Sequence, residues 1–157
     1  MSGIAGVLQL NGKAVDEGLL QKMAEPLQKR GPDGTRFAFD KMAGLLHTHL
    51  ATIEGREEPF KDDPLGLILT LNGVIYNQDA LRERLIDEGY RFHTQDEAEV
   101  VTKAYHRWGD AFANELDGTF AIAIWDSTKE RLVLVRDRFG VKHLYYAQGV
   151  KGKAFYF

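Results

Sequence analysis

The chain opens MSGIAGV, and its second residue is a serine set before a small, apolar run that reads as a strand. A hydroxyl there is a candidate acyl-transfer nucleophile, the vestige of one, or an ordinary small residue behind the start methionine. Further along, HTH places His47 and His49 two apart, on one face of a strand, where two imidazoles can line a pocket or supply half of a metal site. No further ligands follow nearby in sequence, so a surface or pocket-lining role is expected for both, and no metal. The segment LNGVIYN carries Asn72 and Gly73, a pair that by itself reads as a tight turn. In FHTQDEAEVV, Thr94 and Glu97 have the spacing of a helix capping box.

Periodicity supplies the elements that must hold these residues. GIAGVLQL reads as a strand, and DEGLLQKMAEPLQKR as a helix with acids first and bases last, as the helix dipole favours. RGPDG is turn chemistry; AGLLHTHLATI and LGLILTLNGVIYN are strands. Asn77 is placed to cap the helix QDALRERLIDEG, and Gly89 to end it. DEAEVVTKAYHRWG is a second amphipathic helix. TFAIAIWD and RLVLVRD form one expected hairpin, and HLYYAQ and KAFYF another around GVKGK. Helices in the middle, with strands before and after, predict an α+β fold with largely antiparallel sheets.

Composition sets the outer bounds. A length of 157 residues fits one domain with its own core, and 44% hydrophobic with 27% charged residues is ordinary for a globular protein. Net charge is −3 with no lysine or arginine block, so neither nucleic acid nor an anionic membrane is an expected partner. No run of about 18 apolar residues suggests a transmembrane helix. The N-terminus lacks the basic region and apolar core of a signal peptide, so a cytoplasmic location is expected. The absence of cysteine excludes disulfides, thiolate metal sites and a cysteine nucleophile.

Four fragments, SGIAGV, RGPDG, LNGVIYN and LDGTFAIAIWD…LVRDRFGVKHLYY, stand in one order along nearly the whole chain. Together they resemble the glutaminase domain of the asparagine synthetase family, a class II glutamine amidotransferase and N-terminal-nucleophile (Ntn) hydrolase. The resemblance implies a four-layer αββα sandwich over residues 1–157. It also implies hydrolysis of glutamine to glutamate and ammonia without a cofactor, after removal of Met1. The freed α-amine, with a pKa near ~8, is then the base for its own side chain.

Residue by residue, the resemblance places Ser2 where the family has its cysteine nucleophile. Asn72 and Gly73 fall on the oxyanion hole, an amide N–H₂ and a backbone N–H aimed at developing negative charge. His49 falls on the arginine that grips the α-carboxylate of glutamine, and Val74 on a glutamate at the substrate end of the pocket. Glu97 falls on the aspartate that binds the α-amino group, or Asp96 does if the match shifts by one residue. RGPDG and RDRFGVKHLYY are expected to be turn and scaffold segments, Asp137 and Arg138 an ion-paired or solvated structural set. The family usually has proline where His143 stands.

Four substrate-facing positions thus differ. A hydrogen bond to a charged group contributes roughly 1.5–3 kcal/mol, so losing two weakens glutamine recognition by about a hundredfold or more. The expectation is a catalytically degenerate glutaminase domain. Two alternatives stay open: an active Ntn amidohydrolase using Ser2, and a non-catalytic binding or docking module. In the family a second, ATP-dependent domain with a Ser-Gly-Gly-X-Asp-Ser loop consumes the ammonia in asparagine biosynthesis. No such loop occurs here, so a synthetase domain or chain is an expected partner beside a small-molecule amide. The chain stops at KAFYF, in a strand the family continues. It is therefore either a short natural protein or the N-terminal domain of a longer one, whose exposed apolar face a homodimer would cover.

Overall fold

A computed structural model describes residues 2–50 and 57–157. Strand β1 (Gly3–Gln9) leads into helix α1 (Glu17–Ala24), whose N-terminus is capped by the Asp16 carboxylate accepting the Gly18 N–H at 2.9 Å. The helical pattern read through EPLQKR tightens after Ala24 into a 3₁₀ turn over Glu25–Leu27, because Pro26 has no N–H to continue the ladder. Strands β2 (Gly34–Asp40), β3 (Ala43–His49), β4 (Phe60–Asp62) and β5 (Leu67–Ile75) follow. Helices α2 (Gln78–Asp87), α3 (Glu97–Trp108) and the single turn α4 (Phe112–Glu115) then precede β6 (Gly118–Asp126) and β7 (Arg131–Arg136). The short strands β8 (Ala147–Gln148) and β9 (Ala154–Tyr156) complete the chain.

The strands form two antiparallel sheets, ordered β2-β3-β1-β9-β8 and β4-β5-β6-β7. Side-chain alternation divides their residues into three cores. Ala5, Val7 and Leu46 of the first sheet pack under Leu20 and Ala24 of α1. Leu69, Leu71, Ile75 and Ile122 of the second pack under Leu81 and Leu85 of α2 and Val100, Val101 and Ala104 of α3. Between the sheets lie Leu45, Ile68, Ala123 and Trp125. The result is the four-layer αββα sandwich of the Ntn hydrolases. Among the described residues no helix is long and apolar enough to cross a membrane.

Both expected hairpins form, β6–β7 and β8–β9. Strands β2 and β4 were not expected: β2 follows directly from the RGPDG turn, and β4 has only three residues. The end of the strand read through ATI lies outside the described residues. Two capping expectations are corrected. Asn77 makes no cap bond; its side chain donates to the Glu115 carbonyl at 2.8 Å and accepts the Asp117 N–H at 3.0 Å, clamping the turn into β6. The cap of α3 is Asp96, which accepts the Ala98 N–H at 3.1 Å, not Thr94. Glu99, rather than Glu97, reaches back to the Thr94 N–H at 2.8 Å and the His93 N–H at 3.0 Å, because Asp96 as cap makes Glu99 the third helical residue.

Candidate functional site

Two strands that meet at one end of the sandwich assemble the site. In β3, alternation puts Leu45, His47 and His49 on the face between the sheets; in β5 it puts Ile68, Thr70, Asn72 and Val74 there. The β1–β3 ladder pairs Gly3 with Thr48, so Ser2 stands one step further, level with His49. Ser2, His49, Asn72 and Val74 are therefore carried on facing layers at the same open end. Thr48, pointing the other way, ties down the start of β1: its hydroxyl accepts the Gly3 N–H at 3.0 Å and bonds the Leu27 carbonyl at 3.2 Å.

Behind this end the two sheets are bridged by polar groups. His47 is buried, its Nδ1 3.1 Å from Glu58 Oε2 and 3.3 Å from the Thr70 hydroxyl. The His47 and His49 rings lie 6.3 Å apart. Among the described residues no group of three histidine, aspartate or glutamate side chains is placed to hold a metal ion.

Among the described residues, strand β4 pairs only with Leu67–Leu69 of β5. Two carboxylates bond the same edge beyond it. Glu58 Oε2 accepts the Leu71 N–H at 2.5 Å, and Glu97 Oε2 accepts the Ile75 N–H at 2.8 Å. Gly73 lies between them on the same edge, with a φ of 150° that glycine tolerates, and packed so tightly against Thr119 and Phe120 of β6 that a Cβ would collide with backbone. Sequence reasoning brought Glu97 to the site as a ligand; the structure places it 2% exposed and bound to backbone. Asp96 caps α3, and its other oxygen accepts the Glu57 N–H at 3.1 Å. Val74, on the Asn72 face, is 43% exposed.

Beside Ser2 opens a cleft of about 380 Å³, lined among others by Ile4, Leu27, Arg30, Asn72, His143 and Tyr145. Two of these were read from sequence only as turn or scaffold. Arg30, from RGPDG, donates from Nε to the Ser2 carbonyl at 3.5 Å. His143 is delivered by the loop after β7, which is built around Asp137. That carboxylate accepts the N–H groups of Val141 and Lys142 at 2.9 Å each, of Phe139 at 3.2 Å and of Phe120 at 3.3 Å. Burial pushes the Asp137 carboxyl up, but these donors outweigh it and hold the group below the usual carboxylate range. Arg136 closes the loop by donating to the carbonyls of Gly140 at 2.7 Å and Lys142 at 2.8 Å. Glycine at position 140, with a φ of 64°, lets the guanidinium lie against the backbone. The sequence signal for this assembly was the run RDRFG itself, an acid and a base flanking a turn.

A serine at the start of a central strand, with an asparagine on the opposite sheet of an αββα sandwich, stands in an Ntn-type amidotransferase fold. The chain belongs to the glutamine amidotransferase domain family, whose model matches residues 1–157, and is of the asparagine synthetase type. It is 33% identical over 153 residues to "Asparagine synthetase [glutamine-hydrolyzing] 2" of Bacillus subtilis strain 168, covering 94% of this chain and 20% of that protein. It is 34% identical over 145 residues to "Amidase chry2" of Gibberella zeae, covering 87% of this chain and 21% of that protein. Among solved structures, the glutamine phosphoribosylpyrophosphate amidotransferase of B. subtilis superposes with a TM-score of 0.58 at 23% identity, over 98% of this chain and 34% of that one, and shares the fold. The chain thus spans about a fifth of the length of these curated relatives.

Proposed function

We propose that this chain is a single glutaminase-type domain whose scaffold is kept while glutamine hydrolysis is degraded, and that it serves a synthetase domain in the same or another chain. Its relatives' far greater length favours that partnership. In the competent chemistry, the Ser2 hydroxyl attacks the amide carbon and the α-amine takes its proton. The Asn72 side chain and Gly73 N–H hold the oxyanion. Ammonia leaves with that proton, and water releases the acid from the ester on Ser2.

The observation that carries the degenerate reading is Glu97. With Oε2 bound to the Ile75 N–H and the residue 2% exposed, this carboxylate is turned toward the scaffold, and so is a poor anchor for the α-ammonium of glutamine. Val74 offers no replacement, and His49 gives one donor where a guanidinium gives two. The test is ammonia release from L-glutamine by protein whose Met1 removal is confirmed by intact mass, beside Ser2→Cys. No release above background is expected from the Ser2 protein. Release by the Ser2 protein with a free N-terminus overturns this reading in favour of an active Ntn amidohydrolase, for which the similarity to proteins named amidases would then speak.

A further inference from the structure

The dipeptide Asn-Gly occurs twice in the chain, and the fold treats the two copies in opposite ways. Asn72-Gly73 lies inside β5, where Asn72 pairs with Ala121 and Gly73 with Phe120, and Asn72 is 7% exposed. Asn11-Gly12 lies in the exposed bend between β1 and α1. The bend is tied down at its ends: the Gln9 N–H donates to the Met42 carbonyl, the Leu10 N–H to that of Lys153 and the Val15 N–H to that of Lys41. Within it, Asn11 Oδ1 accepts the Lys13 N–H at 3.1 Å, which folds the side chain back over the Gly12 peptide. The same N–H is aimed at the oxygen that would carry negative charge if Asn11 Cγ were attacked. Among the described residues nothing accepts the Gly12 N–H, and a Cβ built on Gly12 would meet nothing within 4 Å. Its φ of 73° is one that glycine adopts without strain.

We propose that Asn11 is a self-modifying site, its side-chain amide lost to attack by the Gly12 backbone nitrogen. The bond from Gly12 N to Asn11 Cγ forms as solvent base takes the Gly12 proton. The Cγ–Nδ2 bond then breaks, and Nδ2 takes a proton from solvent and leaves as ammonia. The product is a cyclic succinimide, which water opens at either carbonyl to aspartate or isoaspartate. Overall the chain exchanges NH for O, and water is the only co-reactant. Aspartate adds a negative charge to the bend; isoaspartate also adds a methylene to the main chain between β1 and α1. The β5–β6 ladder blocks the same reaction at Asn72, because an extended, paired backbone keeps that side chain from folding over Gly73.

The experiment is incubation of the full chain in mildly alkaline buffer without glutamine, followed by peptide mass spectrometry that localises each NH-for-O exchange. Asn11 is expected to convert at least about tenfold faster than Asn72, which must first leave its ladder. Its peptide is expected to split into an aspartate and an isoaspartate form of equal mass. Gly12→Ala crowds the attacking nitrogen and disfavours the left-handed φ, and is expected to slow conversion about tenfold. In urea the two sites are expected to convert at similar rates, since both are then Asn-Gly in open chain. Equal rates in the folded chain overturn the proposal, as does an Asn11 that stays intact when folded but converts in urea, or an undiminished rate in Gly12→Ala. A contrast that survives in urea overturns it too, because the difference would then lie in local sequence and not in the fold. Ammonia from this source is stoichiometric and needs no glutamine, so it is not mistaken for turnover at Ser2.

Discussion

The Glu97 carboxylate accepts the Ile75 N–H at 2.8 Å, fastening the head of α3 to the strand that carries Asn72 and Gly73. Strand β4 is too short to pair with this part of β5, so a side chain does what a neighbouring strand would otherwise do.

Replacing Glu97 by alanine leaves the buried Ile75 N–H without its acceptor and is expected to cost about 1–3 kcal/mol. Glu97→Gln keeps an acceptor oxygen and should cost less. Urea unfolding of the two variants checks this, and equal stabilities would show that the bond holds nothing.

Gly73 has a φ of 150° and lies against the Thr119 carbonyl across the β5–β6 ladder. Gly73→Ala must move one strand or the other, at a cost of about 1–3 kcal/mol. A lowered Tm with retained far-ultraviolet circular dichroism is expected; an unchanged Tm would mean the ladder yields freely.

The same strand shows what a sequence reveals and what it hides. Alternation in LILTLNGVI separates Leu69, Leu71 and Ile75 from Thr70, Asn72 and Val74, and both sets lie where period two puts them. The hairpins and the two long helices were legible for the same reason: their signal is local. The head of α3 was less so. Thr94, Asp96, Glu97 and Glu99 all suit a helix start, and only the packing of β5 decides which one caps, which one reaches back and which one bonds the strand. Arg30 and His143 were illegible as neighbours of Ser2. They lie 28 and 141 residues from it, and only the closing of the first sheet brings them to one cleft.

His47 and Glu58 join the two sheets directly behind the site, with Leu71 N–H on the same carboxylate. Glu58→Ala strands both partners in a buried layer and is expected to cost about 2–3 kcal/mol. Glu58→Gln, which can still accept from Leu71, should retain more stability. If the two variants unfold at the same urea concentration, the carboxamide cannot replace the acid and the histidine contact is the larger part.

Tyr105 is buried in α3 and donates its hydroxyl to Asp126 at 3.0 Å. Burial, the bond to Asp126 and the charge of that carboxylate push its pKa up to about 12. A raised value means its contribution is complete below the unfolded tyrosine value near ~10 and is lost as pH rises toward the folded one. Burial also raises the Tyr90 phenol, so absorbance titration should show two tyrosines ionising late, and Tyr105→Phe should remove one of them at a cost of about 0.5–1.5 kcal/mol near neutral pH. A late phase of undiminished amplitude in the variant would assign it to other rings.

Asp137 gathers four backbone N–H groups around one carboxylate and so fixes the loop that carries His143 to the cleft. Its pKa is held below the usual range, so the sign is opposite to that of Tyr105. The stabilisation is complete above the unfolded aspartate value near ~3.9 and disappears as pH falls through the lower folded value. Asp137→Asn keeps one acceptor oxygen but loses the charge and half the acceptor capacity, at a cost of about 1–3 kcal/mol at neutral pH. Thermal unfolding from neutral to strongly acidic pH should show the Tm difference between wild type and variant shrinking with acid. A difference that stays constant down to the most acid point would mean the loop is held by its backbone and by Arg136 alone.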